Sequence, residues 1–435
     1  DRIAGYKDFR KGKSSEIEGV QVLSDAVIRI ELRERDATLL PILTLGITAP
    51  VCRSAGKTFD ADFALHPCGA GPFKFDAWEG REAIELRRHD GYYDATHVYL
   101  DKVRWLFGVK STTQRFRFER GQLDFVHELS AADAVAFRSD PRWKNLGNWG
   151  RPRSTRGFFM NTELPPFDKV EVRRAASFAI DRQQVAALRA GHLVAANSMI
   201  PSGVVGHDPS FPGQKHDLDH ALELMRRIGY AYDPKTDQGG YPKTIDYYCA
   251  VNSFDVVAAE LFQQQLARIG IRIRIKSMAW GAYLAITGRR KQAHMGSDGW
   301  SADFDDPSDF LDPLFSSHAI QDEESQNRSF YANPELDALL DRARKEMDPK
   351  KRQKMYRKAD GIVRDDAPWA VVYGFRYYDV RQGYVQGYHP HPHSYQDIKS
   401  VWIDGRIKEL ARTARGALPM SLNALALILT QRKGP

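Results

Sequence analysis

The sequence contains few cysteines, and their spacing is not that of a metal site. There are three: Cys52, Cys68 and Cys249. One disulfide bridge with one free thiol is possible, but the sequence does not select the pair. Buried free cysteines are the simpler interpretation. No resident metal and no cofactor are predicted.

Long hydrophobic runs are also absent. No apolar stretch reaches the ~20 residues that a bilayer-spanning helix needs, and the apolar segment 418–429 is too short. The chain begins at Asp1 without the hydrophobic region of a secretory signal. Any signal peptide is therefore expected to lie outside this sequence.

The charges are dispersed, and the common catalytic motifs are missing. The net charge of +7 comes from Lys and Arg interleaved with Asp and Glu, which argues against nucleic-acid binding. No nucleophile elbow, phosphate loop or zinc-protease helix is present. Asp303, Asp305 and Asp306 lie on one short segment, whereas glycoside hydrolysis needs carboxylates on both sides of a bond. We predict that the protein is not an enzyme.

The composition is that of a globular α/β protein with more than one domain. The 435 residues are 42% hydrophobic and 27% charged, which favours two or three domains. Residues 244–251 form a predicted strand, 254–269 a helix and 271–275 a second strand, a pattern typical of a parallel crossover. Asn333-Pro334 and Asp348-Pro349 are predicted to cap further helices.

Residues 299–313 bring three aromatic side chains together with five carboxylates. Asp306 before Pro307 suits the start of a helix, which gives Asp306 a structural role. Asp303, three residues after Trp300, has no such role. An aromatic wall beside a carboxylate could hold an amine-bearing ligand, whereas the alternative is that Asp303 closes a turn or forms a surface ion pair.

The run Trp-x-x-Asp-Phe-x-x-Pro-x-x-Phe-Leu that begins at Trp300 resembles the bacterial family 5 extracellular solute-binding proteins. These are the oligopeptide- and dipeptide-binding proteins of ABC importers. Four other segments resemble the same family in the same order, and the resemblance covers roughly residues 3–403. The segments are 66–75 (HPCGAGPFKF), 167–182 (FDKVEVRRAASFAIDR), 266–271 (LARIGI) and 331–337 (YANPELD) continuing to 367–369 (APW).

The resemblance implies a two-lobed α/β fold, the periplasmic binding protein type II (cluster C) fold with a hinge. Residues 1–195 would be a remnant of the first lobe and an accessory domain, completed by 376–403. Residues 196–375 would be the second α/β lobe, and 404–435 a tail of unknown role. Family members begin well over a hundred residues before Ile3, so the first lobe is expected to be incomplete. Hinge crossings are expected near 195–201 and 373–380.

In the resemblance, Asp303 matches the carboxylate that pairs with the α-ammonium of a bound peptide. Trp280 and Trp300 match pocket positions, although both indoles could instead belong to a core. Ser301 and Ala302 would offer backbone groups to an extended ligand. Asp298 is expected to be solvated.

One departure concerns the ligand's carboxylate. Oligopeptide-binding members often carry an Arg three residues before the tryptophan, where this chain has Ser297. Arg289, Arg290 or Lys291 could substitute for it.

The implied function is that of the substrate-binding component of an ABC transporter. The protein would capture short peptides in an interlobe cleft and deliver them to an inner-membrane permease. It is expected to be monomeric and periplasmic or otherwise extracytoplasmic. The alternative is a receptor for a metal or a nickel-type metal chelate. His389, His391 and His393 alternate and could share one face of an extended chain, or they could form an exposed loop.

Overall fold

The structure is a computed structural model, and it describes residues 2–52, 61–127, 129–189, 191–251, 253–389 and 398–416. The helices, in chain order, are α1 (Tyr6–Arg10), α2 (Leu39–Ile42), α3 (Ala61–Leu65), α4 (Ser111–Glu119), α5 (Ala131–Ser139), α6 (Val170–Ala179), α7 (Arg182–Ala187), α8 (Leu218–Arg227), α9 (Ser253–Ala267), α10 (Trp280–Thr287), α11 (Ser308–Phe315), α12 (Pro334–Lys345), α13 (Pro349–Asp366) and α14 (Gly405–Gly416). None of these described helices is both long enough and apolar enough to cross a membrane.

The strands are mostly short. In chain order they are β1 (Val20–Ser24), β2 (Val27–Ile30), β3 (Phe73–Glu79), β4 (Ala83–Arg88), β5 (Lys102–Leu106), β6 (Phe125–Val126), β7 (Gly147–Trp149), β8 (Ser154–Met160), β9 (Leu193–Ala195), β10 (Tyr232–Asp233), β11 (Gln238–Gly239), β12 (Ile245–Ala250), β13 (Ile273–Met278), β14 (Met295–Ser301), β15 (Trp369–Phe375), β16 (Tyr378–Arg381), β17 (Val385–Gln386) and β18 (Trp402–Ile403).

The chain forms two compact units. Unit 1 contains Asp1–Leu45, Ser154–Val185 and Ala195–Gly374, and unit 2 contains Gly46–Arg153, Ala186–Val194 and Phe375–Pro435. Residues 154–185 therefore group with 195–374 rather than with the residues that precede them, because β8 pairs with β14 and β15. The functional lobe boundaries near residues 195 and 376, and the hinge, stay predictions.

The main sheet of unit 1 places β13, β12, β14, β8 and β15 side by side in that order. Strands β12, β13 and β14 are mutually parallel, and β8 runs antiparallel to its neighbours β14 and β15. The strand–helix–strand unit predicted from residue 244 onward is confirmed, with β12 and β13 parallel on either side of α9. Mixed strand directions with helices between them are typical of an α/β architecture.

Helices α11, α12 and α13 pack on one face of this sheet, and the starts of α12 and α13 are capped as the sequence predicts. Asn333 Oδ1 accepts the backbone N–H groups of Glu335 and Leu336. Asp348 Oδ1 accepts those of Lys350 and Lys351. The buried cluster beneath these helices includes Phe159, Phe310, Leu336, Leu340, Val363 and Trp369.

Strands β1 and β2 form an antiparallel hairpin in unit 1. These strands are rich in apolar side chains, but the hairpin does not bury one face. Val22 is 76% exposed and Ile28 is 64% exposed. This hairpin therefore contributes little apolar burial within the described chain.

Unit 2 contains small antiparallel sheets and a disulfide bridge. Strands β3, β4 and β5 form one sheet, and β6, β16 and β7 form another. Cys52 and Cys68 are joined by the disulfide, which settles the pairing that the sequence leaves open. Cys249, in β12 of unit 1, is a buried free thiol, and its burial raises its pKa to about 11.

We predict that the folded, oxidised protein resists thiol-specific labelling at pH 8. A thiolate is the reactive species, and Cys249 is both buried and held in its thiol form. Reduction should release two reactive thiols, and denaturation a third. Mass spectrometry after maleimide treatment counts them, with Cys249→Ser as the control. Rapid labelling of Cys249 in the native protein would contradict the structure.

Candidate functional site

The candidate site lies at one edge of the main sheet in unit 1. Because β12, β13 and β14 are parallel, their last residues, Ala250, Met278 and Ser301, reach the same edge. We call this the carboxyl edge. Strand β15 ends there as well, since both β14 and β15 are antiparallel to β8. Open α/β sheets bind ligands outside the carboxyl ends of their strands.

The topology brings three of the predicted ligand residues to the carboxyl edge. Trp280 begins α10 directly after β13, Ser301 is the last residue of β14, and Asp303 follows it. Trp280 is 60% exposed and stacks on Tyr283, with ring centroids 5.3 Å apart. Ser301 and Asp303 are also exposed. An aromatic surface, a strand end and a carboxylate therefore lie at one edge.

Trp300 and Ala302 face differently from Ser301. Both are half-buried and pack against the cluster under α11, α12 and α13. In the β14–β8 register Trp300 lies opposite Thr155, whereas Ser301 lies opposite Ser154. Successive strand residues point to opposite faces, so Trp300 belongs largely to the core side of the sheet. The core interpretation that the sequence leaves open describes Trp300 better than Trp280.

The backbone at Asp303 is fixed by a buried acid. The Asp303 N–H donates to Asp309 Oδ2 at 2.7 Å, and Asp309, in the first turn of α11, is buried. Burial raises the pKa of Asp309 to about 7, and the charge of Asp303 acts in the same direction. The Asp303 carboxylate is thus the exposed member of the pair.

The neighbouring carboxylates have structural partners. Asp306 Oδ1 accepts the Ser308 N–H at 2.9 Å, which confirms its role at the start of α11, although the helix begins one residue later than predicted. Asp306 also accepts a hydrogen bond from Arg352 Nη2 at 2.7 Å. Asp305 Oδ1 accepts the Val205 N–H at 2.9 Å. These contacts hold the segment that follows Asp303.

The expectation that Asp298 is solvated is wrong. Asp298 is buried, and its two carboxylate oxygens lie 2.9 and 2.8 Å from Nη1 of Arg328, which is also buried. The Arg328 guanidinium carbon lies 5.8 Å from the Tyr283 ring centroid. A buried carboxylate needs a partner of this kind, and a partner thirty residues away in sequence leaves no local signal.

The suggested replacements for an arginine at position 297 lie at the wrong end of β14. Arg289, Arg290 and Lys291 precede this strand, so its full length, on the order of 20 Å, separates them from the carboxyl edge. Arg289 pairs with Glu323 at 3.2 Å. Arg290 pairs with Glu163 at 2.6 Å and contacts Asp322.

A different arginine, Arg156 of β8, lies near the carboxyl edge. It lies directly opposite Gly299 of β14. The sequence carries no local signal for this proximity, because strand pairing between residues 143 positions apart brings the two together.

The histidine alternative has little support in the described chain. His389 is exposed, while His391 and His393 lie outside the described residues. Across the described ranges, no group of three or more His, Cys, Asp or Glu side chains is placed to hold a metal ion.

The profile of the bacterial extracellular solute-binding proteins, family 5, matches residues 1–322. The chain belongs to this family. Because the match covers most of the chain, the resemblance predicted from the short motifs is confirmed, and so is the α/β periplasmic binding protein fold.

Three individual relatives share less than a third of their aligned residues with this chain. Heme-binding protein A of Haemophilus influenzae is 29% identical over 415 residues, covering 92% of this chain and 73% of the relative. The glutathione-binding protein GsiB of Salmonella choleraesuis is 26% identical over 355 residues, covering 80% and 67%. The periplasmic binding protein DppA of Helicobacter pylori, solved with a bound peptide, has a TM-score of 0.71 at 24% identity, covering 92% and 76%.

The raised pKa of Asp309 predicts a pH-dependent stability. The pKa of Asp309 is about 7 in the folded protein and 3.8 in the unfolded chain. Between these two pH values the folded protein retains a proton that the unfolded chain loses, so stability falls as pH rises through this window. Asp309→Asn should reduce this slope and raise the free energy of unfolding at pH 8 by about 2 kcal/mol.

Urea unfolding at pH 4.5, 6 and 8 measures this effect. Asp219→Asn, at an exposed position in α8, is the matched control and should leave the slope unchanged. Parallel pH profiles for the wild type and Asp309→Asn would contradict the assignment of the buried acid.

Proposed function

We propose that this chain is the substrate-binding component of an ABC importer and captures short peptides by their α-ammonium group at Asp303. The supporting observation is the exposed Asp303 carboxylate at the carboxyl edge, with its own backbone fixed by buried Asp309. A fixed carboxylate offers a defined position for a cation without reading the side chains of the ligand.

The surroundings of Asp303 suit a ligand of variable sequence. Ser301 ends β14 beside it, and an extended ligand at a strand end would form main-chain hydrogen bonds, which give affinity without sequence preference. Trp280 presents a broad aromatic surface at the same edge, and aromatic faces accept many side-chain shapes. Trp300 and Ala302 would contribute through their uncovered surfaces.

The known relatives support a peptide-like ligand. Among the proteins that this chain resembles, GsiB is a glutathione-binding protein and DppA is solved with a peptide. Heme-binding protein A is also a relative, so hemin, a metal chelate, belongs among the test ligands. Binding of hemin but of no peptide would contradict the proposal.

The wider transport role follows from the family. Family 5 consists of extracellular solute-binding proteins, so we propose a periplasmic or otherwise extracytoplasmic location for this chain. A membrane permease would receive the loaded, monomeric protein. Capture between two hinged lobes, with ligand shifting an open–closed equilibrium, stays a prediction from the family resemblance.

Asp303→Asn should weaken the binding of a short peptide with a free amino terminus by about thirtyfold or more. Removing one partner of a desolvated ion pair costs about 2–5 kcal/mol, and 1.4 kcal/mol is tenfold in affinity. Isothermal titration of trialanine and of glutathione into both proteins measures the change.

N-acetyl trialanine is the matched ligand control, since it lacks the ammonium group and should bind both proteins equally. Asp322→Asn, at an exposed position that follows α11, is the matched protein control. A loss smaller than about fivefold is what a solvent-exposed pair gives, and it would contradict a desolvated amine anchor.

A further inference from the structure

Arg156 lies over the backbone of β14 near the carboxyl edge. It is opposite Gly299 in the β14–β8 ladder. A Cβ built on Gly299 would lie 2.6 Å from Cγ and 2.9 Å from Nη1 of Arg156, so the side chain occupies the space that glycine leaves open. Directly paired residues of neighbouring strands share a face, and the guanidinium therefore lies on the face of Ser297 and Ser301.

This guanidinium differs from the other half-buried and buried arginines of unit 1. Arg182 donates to several backbone and side-chain oxygens, Arg173 to the carbonyls of Phe167 and Asp366, and Arg328 to Asp298. Arg156 is half-buried, and no side-chain hydrogen bond or ion pair joins its guanidinium to another residue of the described chain.

A half-buried cation without an internal counter-charge is suited to an external anion. A guanidinium presents a planar fork of donors that matches a carboxylate in bidentate geometry. Tyr373 of β15 is the other cross-strand partner of Arg156. Its ring contacts Phe254 edge-to-face, with centroids 5.5 Å apart. Aromatic surface beside the cation excludes water and strengthens a pair formed there.

The separation of Gly299 and Asp303 along the chain is comparable with the length of a short zwitterion. Asp303 is four residues beyond Gly299, the cross-strand partner of Arg156, and at ~3.3 Å per residue the two backbone positions lie at most ~13 Å apart. An extended peptide of about three or four residues spans a similar length. The exposed carboxylate and the half-buried guanidinium could thus meet the two termini of one ligand.

We propose that Arg156 binds the α-carboxylate of the ligand and, with Asp303 at the amino end, selects short peptides with two free termini. The proposal rests on the peptide-binding function. Arg156 on β8 would take the place of the arginine that this chain lacks at position 297. The glycine at position 299 is then required, because a side chain there would displace the guanidinium.

The test compares each peptide acid with its amide. Dialanine, trialanine and tetra-alanine, each as the free acid and as the C-terminal amide, are titrated calorimetrically into wild type, Arg156→Gln and Gly299→Ala. Wild type should prefer the acid of its best-fitting length by about tenfold or more. Arg156→Gln should lose that preference while binding the amide as tightly as wild type does.

Gly299→Ala keeps the arginine but moves it, so it should reduce the preference in the same way. Arg274→Gln removes an exposed arginine of β13 in the same sheet, one that pairs with Asp246 at 2.6 Å, and should retain the full preference. A folding defect in a variant would weaken acid and amide alike, and amide binding therefore separates misfolding from loss of carboxylate recognition.

The outcomes distinguish the two proposals. If wild type binds acid and amide equally, or if Arg156→Gln retains the preference, the role of Arg156 is refuted while peptide binding stands. If wild type binds none of the six alanine peptides and no glutathione, the proposed function fails, and the role of Arg156 fails with it.

Discussion

The antiparallel pairing of β14 with β8 determines which side chains lie on each face of the main sheet near its carboxyl edge. In this register Trp300 faces Thr155 and Gly299 faces Arg156, so adjacent residues of β14 are directed to opposite faces of the sheet. A slip of one residue would exchange the two faces. Trp300 would then leave the cluster under α11, α12 and α13, and Arg156 would lose the gap that Gly299 provides.

Buried ion pairs fix the segments on both sides of Asp303. Asp298 and Arg328 pair within the sheet, and Asp306 and Arg352 pair at the start of α11. Pairs of this kind contribute little net stability compared with apolar packing, but breaking one costs about 3–5 kcal/mol because a charge is left unpaired. Their effect is positional, since they restrict the path of the chain between β14 and α11.

The sequence correctly predicts the structural features that depend on residues close together in the chain. Asn333 and Asp348 cap their helices through N–H groups two or three residues away, and the crossover from β12 to β13 follows from periodicity and short links. The family motifs, which are also local, correctly predict the fold.

Features set by long-range pairing are not predicted. From the sequence, Asp298 is expected to be solvated, because its partner Arg328 is thirty residues away. Arg289, Arg290 or Lys291 are suggested as substitutes for an arginine at position 297, because they are near Ser297 in the chain. Arg156 belongs to a different strand, and only the ladder brings it to Gly299. The same ladder groups residues 154–185 with 195–374, which no composition change indicates.

Formation of the Cys52–Cys68 bridge depends on the redox state of the compartment in which the protein folds. Disulfides persist where the medium is oxidising and are reduced in a cytosol rich in glutathione. Protein made without export would therefore lack this cross-link and carry Cys52 and Cys68 as thiols. Preparations from different cellular compartments would then differ in heat tolerance although their amino-acid sequence is identical.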